Sequence, residues 1–290
     1  MKIAYITYAG EIRYSAANGF NEMSDLLPFL QNKGLDIEAA IWDDPTVDWT
    51  KYDVAILKTP WDYHQKIDAF KTWLDKIESL NVRLLNDYKI VRWNLDKHYL
   101  QEIIADGFDV IPSAFLPQGW KGDLLPLFES LKTSSIIIKP CISGGSKNTI
   151  VVHRQDAAAS IDKVATLLTE GDYIVQPLMQ EVQNGEWSYI FFDDTYSHTI
   201  LKKPKAGDFR VQQIYGGTID TLYPGPEEIA HAATYVEKYA KGCLYVRVDG
   251  LMVNGHFVLM ELELIEPFLY LSYGENAVEQ YYQAILSQIN

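Results

Sequence analysis

The chain has 290 residues, 48% of them hydrophobic, a length that favours two or three packed subdomains over a single small core. Its formal net charge of −14 and pI near 4.8 argue against a nucleic-acid surface, which needs a positive patch to replace counterions. No apolar run reaches the roughly 18 residues that span a bilayer, and the opening MKIAYITY lacks the features of a signal peptide, so a cytoplasmic chain without membrane contact is expected.

The first hundred residues alternate strand and helix signals as in an open α/β sheet. Lys2–Tyr8 and Ile37–Trp42 are short apolar runs, and between them Gly19–Lys33 carries helical spacing in Phe20, Met23, Leu26, Leu27 and Leu30. Tyr52–Leu57 predicts a buried strand, Ile67–Leu80 an amphipathic helix around Phe70, Trp73, Leu74 and Ile77, and Val82–Leu85 another strand. Tight strand–helix–strand connections predict parallel pairing. From Ile136 to Gln213 strands dominate, interrupted by a helix over Asp156–Thr169 for which Asp156 is the expected N-cap. Pro226–Lys241 predicts a helix with proline in its first turn. Leu244–Leu251 and His256–Leu264 then form a hairpin across Asn254 and Gly255, and a helix over Gly274–Gln288 closes the series.

Three segments can carry chemistry. Two strand signals flank the loop Ser143, Gly144, Gly145, Ser146, Lys147 and Asn148; its glycines let backbone N–H groups approach phosphate oxygens, and Lys139 before it can reach the same phosphates. A simple hairpin turn is the competing interpretation, and the spacing is not that of a Walker P-loop. In the second segment, alternation puts Arg247 and Asp249 on one face of their strand and Glu261 and Glu263 on one face of the partner. Three carboxylates and a guanidinium then converge among apolar residues, a set that suits Mg²⁺. Third, the extended Tyr173–Met179 offers backbone groups beside Leu178 and Met179, as an adenine ring requires. Cys141 and Cys243 lack short-range metal-ligand partners and are expected as buried free thiols.

Taken in order, these pieces resemble the ATP-grasp superfamily, particularly its glutathione-synthetase-like and D-alanine–D-alanine-ligase-like ATP-binding regions. The resemblance implies an α/β ATP-grasp fold: an N-terminal domain over residues 1–92, a central ATP-binding subdomain over 93–180, and a C-terminal subdomain with the metal site over 181–290. It implies that Lys97 and Lys139 bind phosphates, that loop 143–148 covers them, and that Gln176 and Leu178 meet adenine largely by backbone. Glu186 would meet the ribose hydroxyls. Asp249, Glu261 and Glu263 would hold one or two Mg²⁺ ions, with Mn²⁺ as a substitute, although glutamate at 263 replaces the family's usual asparagine. Thr59–His64, Gly207–Gln212 and Glu261–Pro267 are similar to a bacterial group related to the cyclo-ligase of cycloserine biosynthesis.

The expected reaction is attack of a substrate carboxylate on the ATP γ-phosphate, then displacement of the acyl phosphate by an amine-type nucleophile. Arg247 and Lys202 would offset charge on the moving phosphoryl group, with Lys203 a similar candidate, and Arg210 would clamp carboxylate or phosphate through its fork. Trp61, Asp62 and Tyr63, after a predicted strand, are placed to bind the acceptor; packing over a domain joint is the alternative for Trp61 and Tyr63. His98 is expected to pack or face solvent. A small-molecule kinase and a non-catalytic nucleotide-binding module are the rival functions, and a homodimer is the oligomeric expectation.

Overall fold

The structure, a computed structural model, describes residues 1–10, 20–145, 147–212 and 215–290. Its first part is a parallel sheet ordered β2-β1-β3-β4, built from β1 (Ile3–Thr7), β2 (Ile37–Ile41), β3 (Val54–Thr59) and β4 (Arg83–Leu85). Helix α1 (Glu22–Asn32) connects β1 to β2. Its Asn21 cap accepts from the Met23 N–H, and Leu26 and Leu30 are buried one turn apart. Helix α2 (Ile67–Ser79) buries Phe70, Trp73, Leu74 and Ile77, the i, i+3, i+4, i+7 stripe read from the sequence. All six residues of β3 are buried, including Lys58. Covered on both faces, a parallel strand of this kind reads as a continuous apolar run.

The chain then passes through two short helices, α3 (Tyr88–Asn94) and α4 (Tyr99–Ala105), into an antiparallel sheet ordered β5-β8-β6-β7. Its elements in chain order are β5 (Ala114–Leu116), α5 (Leu125–Ser130), β6 (Ser135–Pro140), β7 (Ile150–His153), α6 (Ala157–Leu167) and β8 (Tyr173–Pro177). The sequence reading singled out none of α3, α5 and β5. Elements of three to seven residues have too little intrinsic signal and are fixed by what they pack against. Asp156 precedes α6 as expected but makes no capping hydrogen bond with its side chain, because a 3₁₀ turn over Arg154–Asp156 leads into the helix.

The third sheet is antiparallel, ordered β11-β10-β9-β12-β13, from β9 (Glu186–Phe192), β10 (Thr195–Lys203), β11 (Thr218–Leu222), β12 (Tyr245–Val253) and β13 (His256–Glu263). Helix α7 (Pro226–Tyr239) packs on it with proline in its first turn, and α8 (Ala277–Ile289) follows. The β12–β13 turn places Asn254 at φ 51 and Gly255 at φ 82, both left-handed, the conformation a two-residue hairpin needs. Helix α8 packs on β9 and β10 of this sheet and also on the first part of the chain. Tyr281 and Ile285 enter a core that also holds Ile3, Tyr5, Leu26 and Leu30.

A bulge interrupts the β12–β13 ladder between Asp249 and Gly250. A Cβ at Gly250 would lie 2.4 Å from the Val258 carbonyl oxygen, a backbone atom that cannot move aside alone. Gly250→Ala is therefore expected to cost about 1–3 kcal/mol of stability. Urea denaturation checks this, and an unchanged midpoint would show that the bulge tolerates a side chain.

Candidate active site

The three sheets meet around one cavity of about 530 Å³, a size typical of small-ligand sites. Edge strand β13 forms one wall; at Leu259 its backbone bridges to Asp109 and Ile111, and further along its edge is held by side chains. Asn94 donates to the Leu262 carbonyl at 2.9 Å and accepts from the Leu264 N–H at 3.1 Å, and the Tyr99 hydroxyl accepts from the Leu262 N–H at 2.8 Å. With its register fixed, alternation sends Glu261 and Glu263 into the cavity. They lie directly across from Asp249 and Arg247 of β12.

At the floor, four charges are almost completely buried. Arg247 grips Asp249 with Nε at 3.0 Å and Nη2 at 2.9 Å, and also bonds Glu263. Lys202 reaches Asp249 at 3.1 Å and pairs with Glu186, while Ser188 donates to Asp249 at 2.6 Å. Burial alone would raise the Asp249 pKa, but Arg247 and Lys202 outweigh it and hold the carboxyl far below its ordinary value. Glu261 is likewise lowered against burial, by Lys97 and Lys139. Glu263 goes the other way: burial pushes it up to about 7, against the pull of Arg247. Glu266 rises to about 8 through burial and the neighbouring Glu263. Lys139 is lowered by burial.

Asp249, Glu261 and Glu263 each place an oxygen within 4.8 Å of the others, a span one hard cation can draw together. The all-oxygen donor set fits Mg²⁺. Opposite them Lys97 lies 3.8 Å from Glu261 and 3.5 Å from Ser143 at the start of the glycine loop. Gly145 is left-handed at φ 61, and a Cβ at Gly144 would stand 3.2 Å from His64. The loop therefore favours glycine at 145 for its conformation, and at 144 a side chain would press on His64. At the far end Ile111, Val182, Val211 and Leu251 with Met179 and Met260 make an apolar slot beside Leu178.

Of the described site residues expected from sequence, Trp61, Asp62, Tyr63, Lys97, Lys139, Ser143, Gly144, Gly145, Gln176, Leu178, Glu186, Lys202, Arg210, Arg247, Asp249, Glu261 and Glu263 line this cavity, whereas Asn148 and Lys203 do not. Ser146 lies outside the described residues. Several do so with different partners from those expected. The Leu178 N–H donates to the Ser135 carbonyl at 2.9 Å, so this donor is already engaged within the fold. The Gln176 amide donates to Ser113 at 2.9 Å. Glu186 bonds Lys202, and Lys202 is not an open cation but the buried counter-ion of two carboxylates. Lys203, next along β10, is exposed. The Arg210 fork is taken by Asp208 at 2.7 Å, and its guanidinium stacks on Tyr215 at 3.8 Å. Both Asp62 oxygens accept hydrogen bonds, from Trp42 at 2.8 Å and Lys66 at 2.7 Å, so its carboxylate holds the turn. Tyr63 is 5% exposed and packs on Phe70.

The sequence reading assigned no role to Glu266, Phe268 or Tyr270, all of which line the cavity. Strand alternation continued from Glu261 and Glu263 points to position 265. A bend at Ile265 and Glu266 shifts the phase, a change no periodicity announces.

Known proteins resemble this chain in sequence and in fold. Residues 3–86 match the family described as the N-terminal domain of D-cycloserine synthetase DcsG. The cycloserine biosynthesis protein DcsG of Streptomyces lavendulae is 26% identical over 285 residues, covering 92% of this chain and 94% of that protein. The crystal structure of D-cycloserine synthetase DcsG superimposes over all of both chains with a TM-score of 0.85 at 26% identity. D-alanine–D-alanine ligase from Bacillus anthracis matches with a TM-score of 0.68 at 15% identity, over all of this chain and 96% of that one. The ATP-grasp ligase PsnB with its minimal precursor gives 0.67 at 12% identity, over 98% of each chain.

Two outcomes follow from the buried charges. Lys202→Met leaves Glu186 and Asp249 short of a counter-charge and is expected to cost about 3–5 kcal/mol, read by thermal or urea unfolding; a loss below 1 kcal/mol would mean the carboxylates find other partners. His198 on β10 is 5% exposed, and burial lowers its pKa to about 4. Its neutral form belongs to the folded state, so its stabilising contribution is present above pH 6.5 and is lost as pH falls toward 4. His198→Gln should flatten the stability profile across that window, and a slope equal to that of the wild type would refute the assignment.

Proposed function

We propose that this chain, an ATP-grasp carboxylate–amine ligase in the group near DcsG, uses Mg-ATP to activate the carboxylate of a small amino-acid-like or peptide substrate. The observation that carries the proposal is the convergence of Lys97, Lys139 and Arg247 with Asp249, Glu261 and Glu263 at one end of a single cavity. Trp61 and Tyr63 line that cavity too.

In the proposed sequence a substrate carboxylate oxygen attacks the γ-phosphorus and the bond to the β-phosphate oxygen breaks, giving an acyl phosphate and ADP. The nucleophile's nitrogen then attacks the carbonyl carbon, inorganic phosphate leaves, and the nitrogen gives up its proton. Lys97, Lys139 and the N–H groups of loop 143–148 bind and orient the phosphates, and this positioning supplies most of the rate gain. Arg247 offsets charge on the moving phosphoryl group, and Lys202 keeps Asp249 ionised and in place. The apolar slot beside Leu178 takes the adenine ring, and Trp61 with Tyr63 borders the acceptor. One or two Mg²⁺ ions held by Asp249, Glu261 and Glu263, with Mn²⁺ as a substitute, would screen the negative charge of the phosphates.

The test is ADP and phosphate release from Mg-ATP across amino acids, dipeptides and O-substituted serines, with Glu261→Ala as the control. Release that depends on the acceptor, accompanied by a new amide or ring, is the expected result, and the variant should lower the rate by about 10²–10³-fold. A stable phosphorylated product would instead make the chain a kinase. ATP binding with no turnover would leave a nucleotide-binding module.

A further inference from the structure

The segment Glu266–Leu271, after β13, belongs to no sheet. It alternates all the same: Glu266, Phe268 and Tyr270 line the cavity, and Pro267, Leu269 and Leu271 are buried behind it. A chain in this position must satisfy its backbone groups without a partner strand, and here side chains from elsewhere in the fold do so. Trp61 donates to the Glu266 carbonyl at 3.1 Å, Lys58 to that of Pro267 at 3.3 Å, and Arg247 to that of Phe268 at 2.9 Å. His198 Nε2 lies 3.0 Å from the Leu269 carbonyl.

Two of the segment's N–H groups go to a single residue of the N-terminal sheet region. Glu22, the first residue of α1, accepts from the Leu269 N–H at 2.8 Å and from the Leu271 N–H at 3.4 Å. In a regular strand, N–H groups two residues apart are nearly 7 Å from each other, too far for one carboxylate. Tyr270 between them is left-handed, at φ 53. That conformation, uncommon for a tyrosine, folds the two N–H groups into a small anion-binding concavity. Glu22 fills the concavity, is itself 1% exposed, and is neutralised by the equally buried Lys58. The same left-handed residue carries the ring that lies 5.6 Å from the Arg247 guanidinium.

We propose that Glu22 is a positioning residue: its carboxylate holds Tyr270 in the left-handed conformation and thereby sets Glu266, Phe268 and Tyr270 as the wall that selects the substrate. It acts from behind that wall, through the backbone. The apolar slot and the glycine loop lie on other elements, so Glu22 acts on the acceptor half of the site and reaches the nucleotide half only through the contacts of Phe268 and Tyr270 with Arg247.

The experiment uses the full chain and two variants, Glu22→Gln and the double variant E22Q/K58M, which avoids stranding a buried ammonium. The first arm is amide hydrogen exchange without substrates. The peptide spanning 266–273 should exchange about tenfold faster or more, the loss of one charge-assisted hydrogen bond, while peptides from β12 and β13 keep the wild-type rate. The second arm rests on the ligase assignment above. For whichever amino acid drives ADP release, KM should rise about tenfold or more by the same reasoning, with Mg-ADP affinity by calorimetry close to wild type. Wild-type exchange in the 266–273 peptide of both variants would overturn the proposal. So would a parallel fall in ADP affinity and acceptor recognition, or failure of the double variant to fold, since either makes Glu22 a general support of the fold. If wild type turns over no amino acid tested, the ligase assignment fails by itself, and the exchange arm still decides the role of Glu22.

Discussion

The site is organised by the charge balance on the third sheet. Arg247, Asp249, Lys202 and Glu186 are each less than 10% exposed and sit on three adjacent strands, two cations against two anions. Buried charges are costly unless paired and hydrogen-bonded, so each of the four fixes its neighbours. Because this set is neutral within itself, it can lie under a cavity without drawing in water. The carboxylates added above it are not matched in the same way. Glu261 is kept ionised by Lys97 and Lys139, which come from the central part of the chain, whereas Glu263 and Glu266 are pushed toward the neutral form. The two carboxylates of β13 are thus shifted in opposite directions although they share one face of the strand.

Much of this was legible from the residues. Parallel pairing in the first sheet followed from short apolar runs joined by an amphipathic helix, and the β12–β13 register followed from Asn254-Gly255 and the alternation on either side. That register is what sets Arg247 against Glu263 and Asp249 against Glu261. Long periodic elements and tight turns carry their own instructions.

Most of what the sequence did not disclose is of one kind, the choice of partner. Nothing local to Lys202 says that its ammonium ends between two carboxylates, or that Arg210 folds back on Asp208. Alternation finds the face a residue occupies, and only the packed fold decides what stands on the other side. The short helices α3 and α4 are the same case. Their sequence is weakly helical, yet Asn94 and Tyr99 from them complete the edge of β13, a partnership across more than 160 residues. Glu266 escaped for a different reason, a bend that breaks the phase of the strand before it.

Helix α8 shares its core with β1 and α1, so one hydrophobic cluster joins Ile3, Leu26 and Leu30 to Tyr281 and Ile285. During synthesis the first sheet can pair its strands early, but that face remains open until the last helix has left the ribosome. The closing contact is among the most distant the chain makes, and it carries the loop-closure entropy that slows folding. Completion of the N-terminal core therefore waits on α8, and a product that lacks this helix exposes an apolar face for chaperones and proteases to find.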